Sequence, residues 1–519
     1  MTLNDYTDLG SFFENAAQDG SLASAMAPLT RQEREENQIE AIFDLAHPRN
    51  IQGPQETEAD KADSFLEKGT TAIDYICDTF DTLGSASKLA VRDPGELVKP
   101  EEPSKNATAP SSANSISAAG MLSGLPFAKT NAETPEQKYQ RELKAYDKEK
   151  SGIEEHNRMM NWTSIGFGSL RTISGATGMF RHGKKAIEAK DRNKIVRRQS
   201  ILSSISAGCS TLGGLTQASA GISGLAKNDV ASGVLSIIGG LAGVAGSTLD
   251  AFGSGMAAYR YGEIANLNKA NNRAYKTKDV NDPNYDGTIS AADRTMNNTI
   301  FKVHDMAGLN ARKQRNRNIF SSVMSGIGIL GALGGLGASI ADVVSVGDSN
   351  NTPEDVMRSR LKKRRMSSGI LGLIASGAGI LTRAVSQVAD KAFDYSDGKD
   401  RKTYVENYLD SKVDKIKAQA QTGLHAQNIP GVVIDDDAAK RIVLKKLGVY
   451  KGQILGQGPF TLDDDTAKVM YNNIAMKRAT KLAGLNPADM AKQQALEQLG
   501  LNKMNATAEE IAFAMGYQK

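Results

Sequence analysis

This chain is poor in the residues that most often carry chemistry. Two cysteines, Cys77 and Cys209, stand far apart among 519 residues. That excludes a disulfide framework, and neither has partners at metal-ligand spacing. The five histidines include no H-x-x-x-H pair. His156, His182, His304 and His425 have no nucleophile or second ligand nearby in sequence. No G-x-S-x-G, H-E-x-x-H, P-loop or Rossmann fingerprint occurs, and Gly456-Gln457-Gly458 stands alone. Active sites are built from such convergent groups. The chain is therefore expected not to be an enzyme, and no small-molecule substrate is evident. Aromatics are only 6%, with a single tryptophan, Trp162. Without interleaved aromatics to stack bases, and with a formal net charge of only +4, nucleic acid ranks below a membrane as a partner. The opening residues M-T-L-N-D-Y-T-D-L-G have no basic n-region and no apolar h-region. Export through a Sec signal is not expected.

Glycine is abundant, at 50 residues, and gathers in long uncharged runs. These are Gln199–Ala226, Val230–Leu249, Asn318–Ala341 and Met366–Thr382. A pattern S-S-x3-G-x4-G recurs within them: Ser203-Ser204 with Gly208 and Gly213, Ser321-Ser322 with Gly326 and Gly331, Ser367-Ser368 with Gly372 and Gly377. A large apolar residue (Leu202, Phe320, Met366) and a basic cluster precede each copy. A degenerate copy begins at Trp162, after Arg158 and before Gly168. The fixed spacing predicts duplicated helical hairpins with charged stems and apolar tips.

Small residues every four positions let helices approach closely, in water or in lipid. Gly239, Gly243, Ser247 and Ala251 form one such ridge; Gly331, Gly335 and Ser339 form another. About 20 residues span a bilayer, so Asn318–Ala341 is the best candidate to enter one. Ser, Thr and Gly dilute the apolar residues, and the negative mean hydropathy of the chain excludes an ordinary polytopic membrane protein. Arg358, Arg360, Lys362, Lys363, Arg364 and Arg365 stand next to an uncharged run. Basic residues so placed attract anionic lipid at roughly 1 kcal/mol per charge. These six, with Gly331 and Gly335, are the expected lipid or partner contacts.

Along the chain, residues 1–92 are polar with scattered apolar residues and read as short helices. Residues 93–134 are rich in Pro, Ser, Ala and Asn and read as a disordered linker. Residues 135–400 hold the repeated hairpins, and 401–429 read as a connecting helix. From 430 to 519 the reading is a small domain of short helices. Asp435-Asp436-Asp437 and Asp463-Asp464-Asp465 are placed to cap helix starts. Gly448, Gly484, Gly500 and Gly516 fit helix ends. The expected fold is thus mainly α: long hairpins with Gly-rich apolar segments forming a bundle, plus a C-terminal domain of short helices.

Residues 282–293 read D-P-N-Y-D-G-T-I-S-A-A-D. Oxygen-bearing side chains fall at loop positions 1, 3, 5, 7, 9 and 12: Asp282, Asn284, Asp286, Thr288, Ser290 and Asp293. Gly287 stands where the chain must turn sharply, and Ile289 where an apolar residue anchors the loop. A hard cation takes six to eight oxygens, which this spacing wraps around one point. The loop resembles the EF-hand family, and its closing Asp in place of Glu is similar to the dockerin-type variant. That resemblance implies one Ca2+ site over these residues and no wider function. No second loop is present, because Asp394-Tyr395-Ser396-Asp397-Gly398 fails the spacing. The site is expected to be a structural clamp.

Two functions fit these observations. The first is a non-enzymatic protein, secreted or injected without a Sec signal, that inserts apolar hairpins into an anionic membrane. Its architecture resembles secreted translocators and α-pore-forming proteins. The second is a structural component of a large assembly, a virion or injection-device protein, whose Gly-rich helices self-associate. Under that reading the chain is cytoplasmic or virion-bound.

Overall fold

The computed structural model describes residues 39, 58–103, 134–189, 193–276, 291–344, 354–426, 432–450, 452–455, 458–486, 490–501 and 505–517. Among them are ten α-helices and no strand. Six are long: α1 (Glu58–Ala90), α2 (Pro135–Glu188), α3 (Lys194–Leu225), α4 (Asp229–Lys276), α5 (Ala291–Val344) and α6 (Glu354–Ala426). Four are short: α7 (Asp436–Lys446), α8 (Asp464–Ala483), α9 (Met490–Gln498) and α10 (Ala508–Ala514). The chain divides into two compact units. One comprises Met1–Glu56, Asn268–Asn310 and Ala392–Lys519; the other comprises Thr57–Leu267 and Ala311–Lys391.

Local chemistry accounts for the helix boundaries. Pro135 opens α2 behind Thr134, whose hydroxyl accepts from Gln137 N at 3.2 Å while the Gln137 side chain accepts from Thr134 N at 3.0 Å. Asn193 caps α3 by accepting from Ile195 N and Val196 N at 2.9 and 3.2 Å. Asp435 and Asp463 cap α7 and α8, accepting from Ala438 N and Thr466 N at 2.7 and 2.8 Å. The Asp463 carboxyl is held below its ordinary range, first by the Thr466 hydroxyl and then by the Thr466 amide. At the other ends Gly448, Gly500 and Gly516 adopt φ of 72, 78 and 89°. Val449 N, Leu501 N and Tyr517 N then return to Leu444 O, Leu496 O and Ala512 O at 3.0, 2.9 and 3.0 Å. This is the left-handed helix stop that glycine accepts at least cost.

Two boundaries differ from the sequence reading. Residues 401–426 continue α6 without a break, because nothing between Met366 and Ala426 interrupts the helix: proline is absent there. Part of the expected linker is ordered too. Pro94–Glu96 forms one 3-10 turn capped by Asp93, and Glu96 accepts from Arg365 Nε at 2.7 Å. Residues 104–133 lie outside the described residues.

The unit containing α7–α10 has a dense apolar core. Ile300, Met306, Leu409, Ile442, Leu444, Met470, Leu482, Leu496, Ile511 and Met515 are fully buried in it. Several of its buried polar groups bond to backbone carbonyls. Tyr471 Oη donates to Met515 O at 2.9 Å and Lys492 Nζ to Ala483 O and Leu485 O at 2.7 Å each. Burial pushes the Tyr471 phenol above its ordinary range.

Candidate functional site

The other unit is built from α1, α2, α3 and the adjoining parts of α4, α5 and α6. Each helix lies antiparallel to the next. On α2, Asn161, Gly168 and Gly175 meet Gly221, Gly214 and Thr211 on α3. A Cβ at Gly175 would lie 2.6 Å from Thr211 N, so the two backbones are in direct contact. Helices α3 and α4 join where Ser206 Oγ donates to Asp250 Oδ2 at 2.6 Å. Helices α4 and α5 join through Ser254 and Ser321, 3.0 Å apart, and through Ser322 Oγ donating to Ala251 O at 3.1 Å. On α5, Gly331 faces α6, where a Cβ would lie 3.0 Å from Ala378 Cβ and 3.1 Å from Ala375 O. Helix α6 returns to α1: Arg365 Nη1 donates to Lys88 O and Leu89 O at 2.9 and 2.8 Å. Six helices thus close into a ring.

The Ser-Ser repeats acquire a role here. Each copy lies inside one continuous helix, not across a hairpin. Ser367 Oγ donates to Lys363 O at 2.8 Å, four residues back, which leaves the helix intact. The second serine of the pair reaches a neighbouring helix: Ser204 donates to Met179 O at 3.0 Å, Ser322 to Ala251 O, and Ser368 accepts from Lys88 Nζ at 3.3 Å.

Inside the ring lies an ion-pair network centred on α1. Asp78 accepts from Arg171 Nη2 on α2 and from Arg383 Nε on α6, both at 2.6 Å. Asp74 accepts from Arg383 Nη1 at 2.8 Å and from Ser174 Oγ at 2.7 Å. Asp81 accepts from Arg171 Nη2 at 2.7 Å and from Gln217 Nε2 on α3 at 3.1 Å. A second cluster joins Arg181 to Asp63 and Glu67 at 2.8 Å each. Around the first network is a cavity of about 2280 Å³, lined by residues from all six helices. Serine, threonine, glycine and alanine make up much of its wall, with the charged groups among them.

The outer face is the reverse. Phe65 on α1, Phe180 on α2, Leu215 on α3, Phe252 on α4, Leu330 on α5 and Ile374 on α6 are each more than half exposed. None of the six lines the cavity. Among the described residues, three helices are long and apolar enough to cross a membrane: Val230–Ala270, Met296–Ala341 and Glu354–Leu424. Only 11%, 6% and 11% of their most apolar windows is buried. Small and charged residues make up much of the inside of this unit, although Leu83, Met159 and Trp162 also line it, and these six large apolar residues lie outside.

The residues expected to touch lipid are dispersed. A helix turns about 100° per residue, so eight consecutive positions visit every face. Lys362 and Lys363 are exposed, as is Arg360. Arg358 pairs with Glu354 and, at 3.9 Å, with Asp355. Arg364 lines the cavity. Arg365 is turned inward onto Glu96. Gly331 is buried at the α5–α6 seam, and Gly335 lines the cavity. Asp282, Asn284, Asp286, Thr288 and Ser290 lie outside the described residues. Asp293 falls in the first turn of α5. Among the residues described, no group of three or more His, Cys, Asp or Glu is placed to hold a metal ion.

Sequence reasoning missed the network of Asp74, Asp78, Asp81, Arg171 and Arg383. A signal was present. The three aspartates recur at i, i+4 and i+7, one face of a helix. Arg171 and Arg383 are isolated charges beside small and apolar residues, and such charges mark internal sites. Comparison with protein-family models, curated proteins and solved structures found no match.

Proposed function

We propose that the six-helix ring enters a lipid bilayer, and that the chain is a non-enzymatic membrane-interacting protein of the translocator or pore-forming type. One observation carries this reading: every helix of the ring carries an exposed large apolar side chain away from the cavity, while the ion-paired charges and many hydroxyls lie on the cavity side. A bundle that stays in water has the opposite arrangement. A single protein partner needs one apolar patch. Apolar residues on all sides of a ring suit a surrounding apolar solvent, and lipid is that solvent. Satisfied internal ion pairs, small-residue seams and cross-helix serine bonds are the devices that hold helices together within lipid. Lys362 and Lys363, exposed beside the run that begins at Met366, suit anionic headgroups. Delivery by export or by injection completes this reading.

The proposal includes one structural Ca2+ ion at Asp282, Asn284, Asp286, Thr288, Ser290 and Asp293. Its support is sequence spacing together with the helices on either side: α4 ends at Lys276 and α5 begins at Ala291. Thermal unfolding with calcium and with chelator tests it. A calcium-dependent rise in Tm is expected, and its persistence in Asp282→Ala/Asp286→Ala would remove the assignment.

Flotation on liposomes tests the membrane reading. The chain is expected to rise with vesicles containing anionic lipid, and less so as Lys362→Glu/Lys363→Glu. Recovery of the chain only in the dense fractions, as homo-oligomers indifferent to lipid, would favour the assembly component instead.

A further inference from the structure

The cavity within the ring is lined by six helices of one chain. We infer that it is a water-filled passage through a single copy of the chain, sized for small inorganic ions, with Asp74, Asp78, Asp81, Arg171 and Arg383 as its charged constriction. This inference rests on the membrane reading above.

Four observations support it. First, one chain supplies the whole wall, because α6 returns to α1 and closes the ring. Second, the wall carries hydroxyls along its length: Ser203, Thr216, Ser236, Ser339 and Ser376 all line it. Apolar cavities stay dry, whereas polar ones of adequate size hold water. Third, the charged groups on the wall are open to that water. The side chains of Arg171, Arg383 and Asp81 retain 28%, 31% and 33% of their exposure, although each is ion-paired. Fourth, the dimensions fit. On α3 the lining runs from Ser203 to Leu225, roughly 33 Å at 1.5 Å per residue. Dividing 2280 Å³ by that length gives a mean section on the order of 70 Å², about 9 Å across. A section of that width admits hydrated ions. The network binds α1 to α2, α3 and α6 at one level, so ions must pass beside fixed charges there. Rings of charged side chains act in this way in channels.

The test uses the full chain in anionic liposomes loaded with potassium and a large dextran, with Ser339→Cys or Leu330→Cys in a Cys77→Ser/Cys209→Ser background. Flotation and circular dichroism are measured on the same samples, so membrane entry and folding are read separately from flux. Potassium is expected to leave while dextran is retained. A small water-borne cationic thiol reagent should modify Ser339→Cys and lower potassium flux about tenfold, since an added fixed charge raises the barrier in a narrow pore. Leu330→Cys, on the lipid side, should neither react nor change flux. Potassium retention by floated, folded chain would overturn the passage and leave membrane entry standing. So would dextran loss as fast as potassium loss, or flux indifferent to modification at Ser339→Cys. A chain that does not float overturns both.

Discussion

In the unit that contains α7–α10, Ile442, Leu444, Met470, Leu482 and Leu496 are fully buried. In the helical ring, Phe180, Phe252 and Leu330 are more than half exposed, and the interior holds Asp78, Arg171 and Arg383. Both units are all-helical and drawn from the same chain, so helical propensity does not separate them. The residues at the seams do. Where facing positions are Gly, Ser and Ala, backbones approach until no large side chain fits between them, and Leu, Ile and Phe are left on the outer face. Where facing positions are Leu, Ile and Met, the same helices stand further apart and enclose a core. Seam size decides which way a helix turns its apolar face.

Substitutions can break this contrast. The largest effect is expected at Asp78. Asp78→Ala leaves the two guanidiniums of Arg171 and Arg383 without their shared carboxylate, and breaking a buried pair costs about 3–5 kcal/mol. Chemical denaturation of the ring should show that loss, while the near-ultraviolet signal of Tyr471 and its neighbours in the other unit persists. Next comes a matched pair of apolar truncations. Leu444→Ala should cost about 2–5 kcal/mol through a core cavity. Leu330→Ala should stay within about 0.5 kcal/mol in lipid-free buffer, as exposed positions do. Equal losses at the two sites would show that the outer face is covered. Glycine substitutions separate packed seams from open faces. Gly175→Ala forces the α2–α3 seam apart and should cost about 1–3 kcal/mol. At Gly326 an added Cβ meets nothing within 4 Å. Gly326→Ala should therefore stabilise by about 0.8 kcal/mol, the helical preference for alanine. A thermal melt of each variant separates the two signs.

Much of the fold was legible in the sequence, for local reasons. Thr134-Pro135, Asp435 and Asp463 announce helix starts, and Gly448, Gly500 and Gly516 announce helix ends. Caps are made within a few residues, so the chain states them openly. The repeats were visible too, but hairpins were inferred where single helices run through, because a serine that bonds back to its own helix leaves no break. The inward turn of Arg365 was hidden for a different reason: Glu96 is 269 residues away. Likewise the partners of Asp78 lie 93 and 305 residues off, at Arg171 and Arg383. A distant partner writes nothing into the local pattern, and the residues of α1 read as short helices of a polar region for that reason. The outward placement of Leu330 or Phe252 was equally illegible, since periodicity identifies a face without saying what it meets.

The most direct test of the inverted ring is the environment of its outer face. An environment-sensitive fluorophore is attached at Leu330→Cys in the Cys77→Ser/Cys209→Ser chain and followed as anionic liposomes are added. Leu330 on the lipid side predicts a blue shift on binding and strong quenching by a lipid whose acyl chain carries a quencher. Emission that stays water-like on vesicle-bound chain, with quenching only by a water-soluble agent, would contradict the account.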